Sequence, residues 1–533
     1  MTNRMSLAAG VTIYWIAVAV LVVSSLARTD GVLVYPLDDA YVHMAMAKHA
    51  SQQGVWGVTA ERFASASSSP LWTGMLAVAY AVSGVRDLTP LLLNLVAGTA
   101  VVVSLHRVFM LAGLGPGLAL AMLLVTLVAG TLPTLTLLGM EHTLHILVTL
   151  WFVVLGARLM AQREVTPADV VPVAVLAGVL TLTRYEGLFA VAAVAGALLL
   201  ARHWRTASAV GLAGLATVLA YGLWSQSQGG FLLPNSVLLK GVAPATSLES
   251  VVKTAVFWRA LTGLATYTHL AFLVAAVLGL FVASRPSSER TREHGAVAFA
   301  FVACVLLHLQ FARVGWFYRY EAYLIVLGLV TVAMLGAAMV PRWRQDLRAA
   351  PVQLAAAVTL AAVVAFPLLW RGVTAFRQTP AAVSNIFEQP YQAGTFLREY
   401  YPGRRVAVND VGAVGYLADV ALLDVWGLAS IETAMLKRQG AFTTDALEAM
   451  ARRDGVEVAV VYPTWLNEYG GVPPSWERVG EWAVADNVVL GENQAVFYAV
   501  APGARERLVA SLAAYAPRLP KRVIQRGAYL DAP

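Results

Sequence analysis

The sequence predicts a polytopic α-helical membrane protein of about eleven spans followed by a soluble α/β domain, and three observations carry that fold class. Of 533 residues, 59% are hydrophobic and 13% charged, about half the charged share of a soluble domain. Apolar windows of span length recur from the N-terminus to Trp370. Beyond Trp370 charged residues return, and short β-type runs alternate with helical ones.

The first window, 8–27, follows Arg4 and resembles a secretory signal. It is long enough to span, and many spans follow, so it reads as an uncleaved signal anchor with a cytoplasmic N-terminus. Further windows lie at 88–105, 116–138, 143–160, 169–183, 187–201, 208–225, 262–283, 296–311, 322–340 and 352–370. Basic loops follow at His106-Arg107, Arg158 to Arg163, Arg202 to Arg205, Arg285 to Arg292 and Arg342 to Arg348. Placing all five in the cytoplasm satisfies the positive-inside rule. The same parity puts 28–87, 139–142, 184–186, 226–261 and 312–321 outside.

Leu71 to Ser83 is apolar but about thirteen residues long, below the roughly twenty needed to cross. It reads as a juxtamembrane or re-entrant helix, because a full span there would turn every later basic loop outward. The division is therefore 1–370, a transmembrane module with an external loop at 28–87, and 371–533, an extracytoplasmic α/β domain. In the second part Arg405 to Val408, Val456 to Val461 and Ala495 to Val500 are strand-like, while Tyr391 to Tyr401, Thr444 to Arg453 and Arg505 to Tyr515 are helical. The net charge of +7 suits an anionic leaflet, and the absence of a dense basic run argues against nucleic acid. The single cysteine, Cys304, lies in an apolar run and reads as a buried thiol.

The external loop opens with Pro36-Leu37-Asp38-Asp39-Ala40-Tyr41 and later carries Ser68-Ser69-Pro70-Leu71-Trp72. Two adjacent carboxylates beside a membrane are costly unless they meet a cation, a metal or a proton. An Asp at a helix start is also an ordinary N-cap. A carboxylate held near an acceptor hydroxyl can instead take its proton, while its neighbour orients it or binds a phosphate through a divalent cation (Mg2+, Mn2+ or Ca2+).

Parity returns further polar residues to the same side. Glu141 and His142 follow Gly139-Met140, and Arg184 and Glu186 flank Tyr185 between two apolar helices, where they also form a natural ion pair. Asn235, after Pro234, and Lys240 follow the seventh span; a Pro-Asn turn and a snorkelling lysine are the plain alternative. Arg313, Arg319 and Tyr320 mark another interface, where aromatic residues alone are ordinary. Lys240, Arg184, Arg313 and Arg319 together make a cation set for a lipid phosphate leaving as an anion.

No GxxxxGK[ST] loop, HExxH pair or GxSxG elbow occurs, which argues against a nucleotide motor, a zincin and an α/β-hydrolase. Nucleotide sugars are cytoplasmic, so an activated sugar on the outer face would arrive on a polyprenyl carrier.

The ordered set of Asp38-Asp39-Ala40-Tyr41, Ser68 to Trp72, Gly139-Met140-Glu141, Thr183 to Gly187, Pro234-Asn235 with Lys240, Arg319-Tyr320, and Asn409 to Tyr416 resembles the GT-C superfamily of polyprenyl-phosphate-sugar-dependent glycosyltransferases. The arabinofuranosyltransferases of mycobacterial cell-wall assembly are the nearer likeness, protein O-mannosyltransferases and the lipid A aminoarabinose transferase the more distant. Several relatives have Pro where Tyr185 stands, and the His43 and Lys48 face of the first external helix is peculiar to this chain. The resemblance implies an inverting transfer of arabinofuranose or another pentose or hexose to a cell-envelope glycan, lipid or protein, with Asp38 as general base and Asp39 beside it. It implies an outward-facing site in the cytoplasmic membrane, with the C-terminal domain above it helping to hold the acceptor. A lipid or sugar transporter is the rival, though transporters more often show internal repeats and broken midplane helices. A non-catalytic sensor, with the Asp pair only capping, is the second.

Overall fold

The computed structural model describes residues 1–162, 164–240, 252–254, 256–284, 289–349 and 351–531. The chain opens with α1 (Asn3–Leu26), α2 (Asp38–Gln53), α3 (Pro70–Ser83), α4 (Thr89–Ala112), α5 (Pro116–Ala129) and α6 (Leu132–Leu137). It continues through α7 (His142–Ala161), α8 (Pro167–Thr183), α9 (Gly187–Leu200), α10 (Trp204–Ser227) and α11 (Asn235–Lys240). The later bundle helices are Trp258–Thr266, Thr268–Ser284, Glu289–Phe311, Ala322–Ala349 and Pro351–Ile386.

Each of the eleven apolar windows carries a helix, and the chain is a multi-pass membrane protein. Among the described residues six helices are long and apolar enough to cross, or seven counting the pair Trp258–Thr266 and Thr268–Ser284, bent by 102°. The shorter ones have local reasons to stop. α5 ends at Gly130, where Thr131 turns left-handed (φ 53°) and Pro133 restarts the chain as α6. α8 ends at Arg184, whose backbone is extended.

α3 matches the short apolar helix expected at 71–83: Ser69 caps it by accepting from the Trp72 N–H, and Pro70 sits at its first position. Fourteen residues rise about 21 Å, short of the hydrocarbon core.

The C-terminal part is built on a six-stranded mixed sheet of order β2-β1-β3-β5-β4-β6. β1 (Arg405–Val408) lies parallel to β2 (Ala421–Asp424) and β3 (Val458–Val461). The remaining strands, β4 (Glu477–Ala483), β5 (Gln494–Ala499) and β6 (Ile524–Gly527), pair antiparallel. The parallel strands read almost entirely apolar, as strands covered on both faces must.

The boundary expected at 370/371 falls inside one helix. Pro351–Ile386 runs on through a π-helical turn, Phe387–Tyr391, into Gln392–Tyr400. Pro367 and Pro380 sit within it without ending it, and Pro390 coincides with the π turn. A single hydrophobic core extends from the bundle into the sheet, joining Tyr41, Phe387, Phe396, Tyr416 and Phe497. Polar ties reinforce the seam: Lys48 Nζ donates to the Tyr416 carbonyl (2.9 Å), and Asn385 Nδ2 to that of Asp486 (2.8 Å).

Candidate active site

Asp38 and Asp39 occupy the first turn of α2, where helix-dipole electrostatics favour carboxylates. Successive helical residues are rotated by about 100°, so the two side chains diverge. Asp38 turns to the C-terminal domain and accepts from the backbone N–H groups of Gly412 (2.8 Å) and Ala413 (2.7 Å). The approach is close enough that a Cβ on Gly412 would lie 2.1 Å from the Asp38 carbonyl oxygen. Asp39 turns to the bundle, pairs with the Arg319 guanidinium, and lines a cavity of about 270 Å3.

That cavity gathers what parity placed on one side. Asp39 and His43 of α2, Ser67, Met140, Arg184 to Glu186, Ser236, Arg313, Arg319 and Tyr320 all line it, with Leu428 from the C-terminal domain. Leu188, Phe189, Val237 and Phe311 form an apolar wall between α9, α11 and the end of Glu289–Phe311. The lining therefore combines charged and polar groups with apolar side chains suited to a hydrocarbon chain.

Two buried arginines are held in place by close partners. Arg184 pairs with Glu141 and, at 2.7 Å, with Glu186. Burial opposes ionisation of Glu186, but the Arg184 guanidinium outweighs it and pulls the carboxyl down to about 2. Glu141 is fully buried, outside the lining, and also faces His43 Nε2 at 3.5 Å. Its position follows from Gly139, whose φ of +70° and contact with the Tyr35 ring leave no room for a Cβ. Arg319 donates to Met140 Sδ (2.9 Å) and to the Tyr320 hydroxyl (3.1 Å). The Tyr320 ring lies under both guanidinium groups, 4.9 Å from Arg319 and 5.7 Å from Arg184.

The other expected residues sit elsewhere. His142 is buried at the start of α7, 4.0 Å from Glu141, and is outside the lining. Asn235 is buried and works as a strut, Nδ2 donating to the carbonyls of Gly427 (3.1 Å) and Leu428 (3.2 Å). Lys240 closes α11, and its side chain lies outside the described residues. In the run Asn409 to Tyr416, the Tyr462 hydroxyl donates to Asp410 Oδ2 at 2.8 Å.

His43 carried no assigned role in the sequence, although four residues after Asp39 on a helix is the same face. Its Nδ1 meets Ser67 Oγ (3.1 Å) and Thr73 Oγ1 (3.0 Å). Burial, with help from Arg184 and Arg319 and against Glu141 and Asp39, holds its pKa below the ordinary histidine value. Among the described residues no group of three or more His, Cys, Asp or Glu is placed to hold a metal ion. The two cavity carboxylates are engaged by arginines, Asp39 by Arg319 and Glu186 by Arg184.

Comparisons bear on this geometry. A family model described as a domain of unknown function (DUF8728) matches residues 384–498, and no curated protein matches the chain in sequence. ArnT from Cupriavidus metallidurans, in a crystal structure bound to undecaprenyl phosphate, is similar at 16% identity and a TM-score of 0.50, over 92% of this chain and 98% of that one. The apo form of ArnT aligns at 14% identity, over 93% and 99%, with a TM-score of 0.49. The arabinofuranosyltransferase AftD from Mycobacteria aligns at 15% identity and a TM-score of 0.45, over 94% of this chain and 42% of its own. Over 92% of its length the chain thus shares the fold of the ArnT structure bound to undecaprenyl phosphate.

Proposed function

We propose that the protein is an inverting glycosyltransferase that moves a sugar from a polyprenyl-phosphate carrier to a cell-envelope acceptor on the outer side of the cytoplasmic membrane. The observation that carries the reading is one cavity lined by two carboxylates, Asp39 and Glu186, by three arginines, Arg184, Arg313 and Arg319, and by apolar side chains that include Phe189 and Phe311. A polyprenyl phosphate matches that lining, its tail on Phe189 and Phe311 and its phosphate among the guanidinium groups.

In this reading the donor phosphate competes with Asp39 for Arg319. As the guanidinium turns to the phosphate, the Asp39 carboxylate is freed to accept the proton of an incoming hydroxyl. The hydroxyl oxygen attacks the anomeric carbon, the bond to phosphate breaks, and the arginines stabilise the anionic lipid phosphate that departs. The base role implied by the resemblance for Asp38 passes to Asp39, because Asp38 is engaged by Gly412 and Ala413. Glu141 then acts through Arg184, and Asn235 by bracing the loop that presents Leu428.

The test is transfer from a labelled polyprenyl-phosphate sugar in proteoliposomes, coupled to mass spectrometry of envelope glycans with and without the protein. The reading requires lipid-phosphate release that depends on Asp39; unchanged glycans with a redistributed carrier lipid would mean transport instead.

A further inference from the structure

Arg319 reaches the cavity from an unusual segment. Gly315, Trp316, Phe317 and Tyr318 all have positive φ (88°, 41°, 55° and 62°), so three successive non-glycine residues adopt the left-handed conformation. Each is sterically disfavoured, and such a run persists only where its surroundings over-determine it.

What over-determines it is a buried ion pair. Glu321, 2% exposed, accepts from the Gly315 N–H through Oε2 (2.8 Å), which closes the segment on itself. Its other oxygen accepts from Arg371 Nη2 at 2.7 Å and Nε at 3.1 Å. Arg371, 7% exposed, also donates to the Tyr318 carbonyl (2.5 Å) and to the Ala129 carbonyl at the end of α5 (3.1 Å). Its guanidinium covers the Tyr318 ring at 5.3 Å. The neighbouring Gly372 permits this approach, since a Cβ there would lie 1.9 Å from the Val128 carbonyl oxygen. One guanidinium thus fixes a strained turn to two other parts of the bundle.

We propose that Arg371 and Glu321 form a positioning clasp for Arg319: they hold the left-handed turn so that the Arg319 guanidinium meets the donor phosphate. The clasp rests on the reading of Arg319 as a phosphate ligand. A buried, fully used arginine in a membrane helix is costly to retain, and this one touches neither the cavity nor its lining side chains except through the turn.

The experiment measures undecaprenyl phosphate binding in nanodiscs for wild type, Arg371→Gln, Arg319→Gln and the double variant, with backbone hydrogen exchange over 313–320. Arg371→Gln is expected to weaken binding by on the order of tenfold in the wild-type background and to have no further effect once Arg319 is absent. Exchange over 313–320 should rise in Arg371→Gln. Where wild type binds, equal loss in both backgrounds or unchanged binding would overturn the clasp, and unchanged exchange would overturn it in any case. If wild type fails to bind undecaprenyl phosphate while exchange still rises, the function proposed above falls and the clasp survives as the holder of Arg319. Should Arg371→Gln fail to fold, Arg371→Gln/Glu321→Gln leaves no lone buried charge and replaces it in the cycle.

Discussion

Asp38 accepts a hydrogen bond from the backbone N–H of Gly412 at 2.8 Å, across a separation of 374 residues, so the first carboxylate of the external loop belongs to a seam between bundle and sheet domain. Its neighbour Asp39 belongs to the cavity. One helical step separates a docking carboxylate from a cavity-lining one.

The first prediction follows from that division. Asp38→Ala should lower thermal stability, by about 1–3 kcal/mol for two buried N–H groups left without their acceptor, and raise hydrogen exchange over 409–417. Asp39→Asn keeps an acceptor for Arg319 but removes its counter-charge; it should lower kcat by about 10²–10⁴-fold and leave exchange over 409–417 unchanged. Reversal of the two effects would return the base role to Asp38.

Gly412→Ala tests the same seam from the other side. The added Cβ meets a backbone oxygen, which has no rotamer to escape into, as well as the Asp38 carboxylate at 2.6 Å. It should destabilise more than Asp38→Ala, and a double variant should fall short of the sum, since both break one contact. A fully additive melting temperature would separate the two sites.

Glu141→Leu should act through Arg184. The pair is buried, and removing one partner of a buried pair costs about 3–5 kcal/mol, here towards the lower end because Glu186 remains. Donor affinity should fall in step as the guanidinium swings towards Glu186. Because Arg184 uses two guanidinium nitrogens on two acceptors, Arg184→Lys should not restore binding. Isothermal titration with undecaprenyl phosphate checks both outcomes.

Much of this was legible in the sequence, for reasons that differ by residue. Hydropathy placed a helix in each of the eleven apolar windows, because lipid leaves the backbone no other way to satisfy its hydrogen bonds. Parity gathered Asp39, Arg184, Arg313 and Arg319 at one end, because alternating loops of a bundle must alternate sides. The split between Asp38 and Asp39 was not legible: it depends on where Gly412 docks, which local pattern does not encode. Arg371 was read as the first residue of a soluble domain, since its partner Glu321 lies fifty positions away behind an aromatic run that looks like a plain interface belt. The helix also runs on through Pro367 and Pro380, tertiary packing having overridden two local breakers.

The last prediction concerns pH and His43. Its imidazole is buried at the cavity wall, with Glu141 and Asp39 favouring the proton and Arg184 and Arg319 opposing it, and burial prevails to hold the folded pKa below the ordinary 6.5. The unfolded chain therefore takes up a proton at a higher pH than the folded one. Stability from this group is fully present above about pH 6.5 and is lost as pH falls from there towards the folded pKa, at up to about 1.4 kcal/mol per pH unit. His49, on the same helix, is lowered in the same direction and adds to the slope. Melting temperature followed from pH 8 to pH 5 should thus decline in wild type, less steeply in His43→Gln, whose amide still reaches Ser67, and least in His43→Gln/His49→Gln. An identical decline in all three proteins would place the acid sensitivity on other groups and leave His43 an ordinary packed ring.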